Sequence, residues 1–309
     1  MESRRTALVI GGTGSLGFHA ARAILAQDGW DAVITGRRRV AEAAECLGGH
    51  ASGLRLDLGS LEEVRSFARA LPPLDAIVCA AGLMRVSGTR FTDDGVEETF
   101  GVNHLAHFLL VREALPLMRP GSRVVFVSGA AHDPARRTGF PSPDFAAASE
   151  LAHPDAERAE RRVRAGLRRY AASKLCMVMT AYEFARRIPP IAVTFNAFDP
   201  GRMPGTGLGR DLRGFSGLMW HRVMPALNSV PGAGRRTPER SAAALARLVC
   251  DPRFAGATGK YYSGERETRS SAASYDAAKT ADLWETSAAL AAAAASQRGG
   301  QALDRSCSK

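Results

Sequence analysis

The chain is poor in cysteine, in aromatic residues and in long apolar runs, and each shortage removes a class of answer. Five cysteines stand among 309 residues (Cys46, Cys79, Cys176, Cys250 and Cys307), odd in number and never in a Cys-x-x-Cys pair. That scatter excludes a disulfide framework and a zinc ribbon, and it predicts a reducing, cytoplasmic setting. No stretch approaches the ~18 apolar residues that a membrane span requires. The N-terminus, MESRRTALVIGG, runs from two arginines straight into a strand-like segment, without the apolar core of a signal peptide. Acidic residues are also short: 31 Asp and Glu face 41 Lys and Arg, a net charge of +10. Such a surplus suits nucleic acid, an anionic membrane or an acidic small molecule. Aromatic residues at 7%, with no recognisable binding module, argue against nucleic acid.

What is present is alternation. Apolar runs at 6–10, 31–36, 53–58, 74–82, 122–129, 191–198 and 258–264 read as strands. Between them lie helical patterns, including one long helix expected over 95–118 and another over 170–187. Short buried strands alternating with helices predict an α/β fold, a doubly wound parallel sheet in one domain with helices on both faces. The domain is expected to span 1–265, with a helical extension at 266–295 and a flexible tail at 296–309. Residues 133–169 interrupt the alternation with Pro134, Pro141 and Pro143 and an Arg-rich stretch, and are expected on the substrate side.

The first strand runs into GGTGSLG, with Gly11, Gly14 and Gly17 three apart. Glycines there let the backbone turn tightly and approach a pyrophosphate, which rests on the amides opening the next helix. Thr13, Ser15 and Leu16 complete this candidate phosphate loop. The second strand ends in Gly36-Arg37-Arg38-Arg39, where an acid would bind the ribose of NAD. Arg37 and Arg38 instead offer planar cations to a 2′-phosphate, which points to NADP(H). Asp57 and Leu58, closing the third strand, are placed to flank an adenine ring.

Two further groups carry a family resemblance. YAASK places Tyr170 and Lys174 on one helix face. With CAAG at 79–82, NHLAHFLL at 103–110 and DPG at 199–201, the chain resembles the short-chain dehydrogenase/reductase family over roughly residues 5–265. Within it, NHLAHFLL, YAASKLCMVMTAYEFARR and LWETSAAL are similar to the branch of light-dependent protochlorophyllide reductases and retinol-dehydrogenase-like enzymes. The resemblance implies a Rossmann-type fold, NADP(H), and a catalytic set of Tyr170, Lys174, Asn103 and Ser128. Tyr170 would donate a proton to a carbonyl as hydride arrives. Lys174 would lower the tyrosine pKa and bind the nicotinamide ribose, and Asn103 would hold a water linking the lysine to solvent. Ala80, Ala81 and Gly82 match the stretch beside the adenosine. Pro200, Gly201 and Thr206 match the loop over the nicotinamide.

The pattern departs at two points. The family's serine is the second of a pair ending the fifth strand, but here the pair is Ser128-Gly129. Neighbouring strand residues face opposite ways, so Ser128 need not reach a substrate, and His132 is the nearest substitute. Arg202 stands where protochlorophyllide reductases carry cysteine, which argues against that activity. The resulting expectation is reduction of a carbonyl or activated C=C bond on a bulky apolar or polycyclic substrate, with an acidic or carrier-bound substrate and a place in secondary metabolism among the options. The competing reading is a relative with altered or lost redox chemistry, or a protochlorophyllide-reductase-like enzyme. Six arginines at 158, 161, 162, 164, 168 and 169 face three acids, either as a solvated helix, as a lid offering cations to substrate, or at a peripheral membrane contact. Monomer and homo-oligomer both stay open, and no metal site is expected: His104 and His107 lack companion ligands.

Overall fold

The run ALVI has no polar side chain to offer water, and it becomes the last four residues of β1 (Arg5–Ile10), all fully buried. In the computed structural model, described here for residues 4–143, 145–154, 163–201, 203 and 237–306, β1 lies centrally in an eight-stranded sheet. The other strands are β2 (Trp30–Gly36), β3 (Ala51–Arg55), β4 (Leu74–Cys79), β5 (Met118–Val127), β6 (Val193–Asp199), β7 (Lys260–Ser263) and β8 (Arg266–Glu267), in the spatial order 3-2-1-4-5-6-7-8. All neighbours pair in parallel except β8, which folds back on β7. The order reverses between β1 and β4, the switch point at which an open α/β sheet forms its ligand crevice.

Alternate strand residues feed two cores. Leu8, Ile77, Val124 and Phe195 face α3 (Leu61–Arg69), α5 (Ala106–Ala114), α7 (Val163–Arg187) and α9 (Ala277–Ser306). Val9, Val78, Val125 and Phe198 face α1 (Ser15–Leu25), α2 (Val40–Leu47) and α8 (Pro238–Cys250). Among the described residues no helix is long and apolar enough to cross a membrane.

Several expected bounds shift, each for a local reason. The single helix expected over 95–118 is three pieces: α4 (Glu98–Phe100), a π-helical turn at Gly101–Leu105, and α5. The buried carboxylate of Glu97 starts it by accepting from the Phe100 amide at 2.8 Å, and Pro116 stops it in a short turn before β5. The helix carrying Tyr170 begins at Val163, seven residues earlier than its apolar pattern, and α6 (Ala148–Ala152) lies ahead of it. At the other end α9 continues to Ser306, through residues expected as a loose tail. Alanine-rich sequence carries it, after Asp276 accepts from the amides of Ala278 and Lys279 at its start.

Candidate active site

The crevice at the switch point is a cleft of about 1180 Å³ lined from both sides of the reversal. Its floor is set by glycine contacts. Gly11 has φ +85°, and a Cβ on it would lie 2.7 Å from the Ala81 Cα; a Cβ on Gly17 would run into the Gly11 carbonyl. These glycines therefore let the end of β1, the start of α1 and the loop after β4 close on one another. Gly14 precedes α1 without a side-chain cap, and the first turn of α1 has no acidic residue. The helix start is thereby left as an anion site facing the cleft.

Toward the adenosine end, Thr13, Gly14, Ser15, Leu16 and Gly17 line the cleft with Arg37, Arg38, Asp57 and Leu58. Arg37 and Arg38 are exposed, and among the described residues neither has an acidic partner. Arg39 differs: it pairs with Glu42 at 2.6 Å. Two free guanidiniums beside an uncapped helix start fit a nucleotide carrying an extra phosphate. This end also holds residues that the sequence reading missed, namely Thr35, Gly36, Glu42, Ala43, Cys46, Arg55 and Leu56. Thr35 was within reach, because it is the last residue of β2 before Gly36 and the basic turn, and its hydroxyl accepts from the Gly11 amide at 3.3 Å.

The opposite end gathers Ala80, Ala81, Gly82, Ser128, Tyr170, Lys174 and Pro200, together with the unforeseen Leu83, Met84, Arg85, Val102, Val127 and Met203. The three after Gly82 extend the CAAG stretch and could have been found by continuing it. Tyr170 and Lys174 lie on α7 as expected, 8% and 5% exposed, with the ammonium 5.5 Å from the centre of the tyrosine ring. That ammonium donates to the Val127 carbonyl at 3.1 Å. Burial pulls the Lys174 pKa down to about 8. Burial, with the charge of Asp199 adding to it, pushes the Tyr170 hydroxyl above its usual range. This opposes the expected lowering by Lys174: the lysine is itself desolvated and turned to the strand, while a buried carboxylate faces the tyrosine.

Asn103 is fully buried behind the cleft rather than in its lining. The π-helical turn points it at the loop after β4. Its Oδ1 accepts from the Leu83 amide at 2.7 Å, and its Nδ2 donates to the Leu83 carbonyl at 2.9 Å and to Ser173 Oγ at 3.0 Å. Ser128 lines the cleft but donates its proton to the Lys174 carbonyl at 2.7 Å, tying β5 to α7. Gly129, where the family serine belongs, has φ +142° and would bring a Cβ to 4.0 Å from Asp199 Oδ1. That same oxygen accepts from the Gly201 amide at 2.9 Å, so Gly201 braces Asp199 rather than lining the cleft. Thr206 and Arg202 lie outside the described residues.

His132 does not replace the missing hydroxyl. Its Nδ1 donates to the Gly129 carbonyl at 2.7 Å, and its Nε2 accepts from the Ser271 amide at 3.2 Å, so both nitrogens are occupied. His104 and His107 are core residues; burial lowers both to about 3. Of the arginine stretch, Arg164 is exposed. Arg169 turns inward to Glu97 at 3.3 Å and to the Gly88 carbonyl at 2.9 Å. Arg158, Arg161 and Arg162 lie outside the described residues.

Comparison with known proteins agrees with this geometry. The short chain dehydrogenase family model matches residues 5–139. Protochlorophyllide reductase of Chlamydomonas reinhardtii is 30% identical, over 94% of this chain and 78% of its own. The Avena sativa protein of that name is 29% identical, over 92% and 98%. Retinol dehydrogenase 14 of Mus musculus is 31% identical, over 75% of this chain and 64% of its own. An uncharacterised protein from Mycobacterium paratuberculosis, 23% identical, shares the fold with a TM-score of 0.66 over 94% of both chains. The chain belongs to the short-chain dehydrogenase/reductase family, near its protochlorophyllide reductase and retinol dehydrogenase branch, and is an NADP(H)-dependent oxidoreductase.

Proposed function

We propose that the protein reduces a carbonyl, or an activated C=C bond, on a bulky apolar substrate, with Tyr170 as the proton donor. The observation that carries this reading is the layout of the cleft. Two exposed arginines without an acidic partner among the described residues mark one end and the buried Tyr170–Lys174 pair marks the other, joined by the uncapped start of α1. When bound, NADPH supplies the hydride. Arg37 and Arg38 would hold the 2′-phosphate, and the amides opening α1 would hold the pyrophosphate. Lys174 would bind the nicotinamide ribose from α7 after releasing the Val127 carbonyl.

The Tyr170 hydroxyl carries its proton at neutral pH. A phenol above its ordinary range keeps its proton at neutral pH, which is the state a donor requires. An alkoxide formed by hydride addition is more basic than a phenolate, so proton transfer from the Tyr170 Oη to it runs downhill. As that transfer proceeds, the Lys174 ammonium faces a growing negative charge on the ring it already overlies. Asn103 keeps Leu83 against α7 and so fixes the wall through which substrate enters. Ser128 positions rather than reacts, since its proton is committed to the Lys174 carbonyl.

A second reading has its own observation. With Gly129 in the serine's place and Ser128 turned away, a usual oxyanion donor is missing, a loss worth ~10²–10³ in rate. That favours a relative with altered redox chemistry, up to a protein that binds NADP(H) without reducing a carbonyl. NADPH oxidation with aromatic ketones, quinones, enones and protochlorophyllide decides between the two. Turnover with any carbonyl or enone supports the first reading; tight NADPH binding without turnover on the whole panel favours the second. Of the arginines that suggested an acidic or carrier-bound substrate, Arg169 is spent on Glu97 and Gly88, while Arg164 is exposed. A role in secondary metabolism would follow only from the identity of the substrate that turns over.

A further inference from the structure

Glu97 is the most deeply buried carboxylate among the described residues, 1% exposed, and proton transfer does not use it. Its Oε2 accepts from the Phe100 amide where α4 starts. Its own amide donates to the Ala152 carbonyl at the end of α6, at 2.8 Å. Its Oε1 faces the Arg169 guanidinium, whose Nη2 reaches on to the Gly88 carbonyl. Arg169 is the residue directly before Tyr170. Four segments therefore meet at this pair: α4, α6, the tyrosine helix α7 and the loop after β4. Burial raises the Glu97 pKa, while the Phe100 amide and the Arg169 charge pull it back.

The loop gives Leu83, Met84 and Arg85 to the cleft, and the helix gives Tyr170 and Lys174. Loop and helix touch without a spacer, since a Cβ on Gly166 would run into the Arg85 carbonyl and lie 2.6 Å from the Val86 Cα. Asn103 grips the near end of the loop at Leu83 through both amide and carbonyl. Arg169 grips it further on, at Gly88. The Tyr170 ring packs on Phe140 with centres 5.4 Å apart, and the Glu97–Arg169 pair holds the backbone that carries the ring. Stability alone gives little reason for such a pair. Taking two charges out of water costs about as much as their attraction returns, and a neutral pair of similar shape is often as stable. What the pair adds is direction: the Phe100 amide fixes the carboxylate, and the planar fork of the arginine spans from it to Gly88.

We propose that Glu97 is a positioning residue: acting through Arg169, it fixes the Tyr170 turn of α7 against the loop that carries Leu83, Met84 and Arg85, and so sets where the Tyr170 hydroxyl stands in the cleft. The proposal deepens the reading of Tyr170 as proton donor and rests on it. A reacting group misplaced by about 1 Å loses on the order of a hundredfold in rate. The nucleotide end of the cleft, built on α1 and the basic turn, does not depend on this tie.

The test is the double variant Glu97→Gln, Arg169→Gln. The new amide at 97 still accepts from Phe100, and the amide nitrogen at 169 stands where the guanidinium Nε stood, so the two side chains can pair without charge. Only the charges and the reach to Gly88 are lost, and the urea midpoint is expected to stay near that of wild type. Turnover of a ketone or enone is expected to lose about ten- to a hundredfold in kcat, while NADPH affinity is kept. Hydrogen exchange is expected to quicken in peptides covering 83–90 and 164–170, and not in β1 or α1. Should the double variant not fold, Arg169→Lys carries the test: it keeps a cation for Glu97, loses the span to Gly88, and is expected to show the same split at smaller size. Full kcat in a variant that folds, a kcat loss matched by a lost midpoint, or unchanged exchange in both segments overturns the proposal. If wild type turns over no carbonyl or enone, or Tyr170→Phe turns over as fast as wild type, the proton-donor reading fails instead. Exchange alone then decides the tie: quickened exchange in the two segments upholds it, and unchanged exchange sinks it.

Discussion

The two ends of the cleft are built on opposite principles. At the adenosine end the recognising groups are backbone and exposed charge: an uncapped helix start, glycines without side chains, and Arg37 and Arg38 in solvent. At the reacting end they are desolvated: Tyr170, Lys174, Ser128 and Asp199 are all buried, and burial moves the tyrosine and the lysine from their ordinary pKa values. The first end can bind whatever carries phosphates, whereas the second must exclude water to work at all. Binding and chemistry should therefore separate cleanly under mutation.

The sharpest separation comes from Tyr170→Phe. It removes one hydroxyl and keeps the ring that Phe140 packs on, so turnover should fall by about 10²–10⁴-fold, the range of a positioned proton donor. NADPH affinity, measured by nucleotide fluorescence, should stay within twofold. Equal losses of both would mean that the hydroxyl serves binding, and the contrast between the ends would fail.

At the other end, Arg37→Ala with Arg38→Ala should act in reverse. A hydrogen bond to a charged group is worth about 1.5–3 kcal/mol, so NADPH affinity should drop by tenfold to a hundredfold while NADH affinity hardly changes. Because both guanidiniums are exposed, raising salt should weaken NADPH binding in wild type and much less in the double variant. Gly17→Ala attacks the same end through shape. The added methyl meets the Gly11 carbonyl, with a cost of about 1–3 kcal/mol in folding stability, visible as a lower urea midpoint. A variant as stable as wild type would mean that the loop can relax away from α1.

This division also decides what could be read along the chain. The adenosine end is local: Gly11, Gly14 and Gly17 lie within seven residues, and Arg37–Arg39 follow directly on β2, so spacing alone brought them together. Tyr170 and Lys174 were legible for the same reason, one helical turn apart. The doubly wound parallel sheet was legible too, since buried parallel strands announce themselves as short apolar runs. What stayed hidden depends on contacts far apart in sequence. His132 accepts from Ser271 across 139 positions, and only that contact shows it to be unfree. Phe140 meets Tyr170 across a stretch of irregular sequence with no periodicity to read. The direction in which Ser128 points is set by the Lys174 carbonyl, and the balance of charge on Tyr170 by Asp199 at the end of another strand. The start of the helix expected over 95–118 at Glu98 depended on the Glu97 carboxylate being buried, which no amphipathic pattern reveals.

The smallest expected effect tests desolvation itself, in the protein without nucleotide. Lys174 has a pKa near 8 in the fold, against 10.5 for an ordinary lysine. Below pH 8 both folded and unfolded chains hold the proton, and the buried ammonium is a constant penalty. Between pH 8 and about 10.5 the folded chain has released a proton that the unfolded chain still holds. The unfolded state then binds more protons, so the Lys174 contribution to stability rises with pH across that window. Other buried groups pull the opposite way at the alkaline end: Cys79, Cys176 and Tyr170 keep their protons in the fold beyond the pH at which they lose them unfolded. Those contributions cancel between wild type and Lys174→Met. The difference in unfolding free energy between the two should therefore move in favour of wild type from pH 8 to 10.5, while the Arg37→Ala, Arg38→Ala variant should show no such trend. A flat difference for Lys174→Met would mean that water reaches the ammonium, and the reacting end would then be no drier than the other.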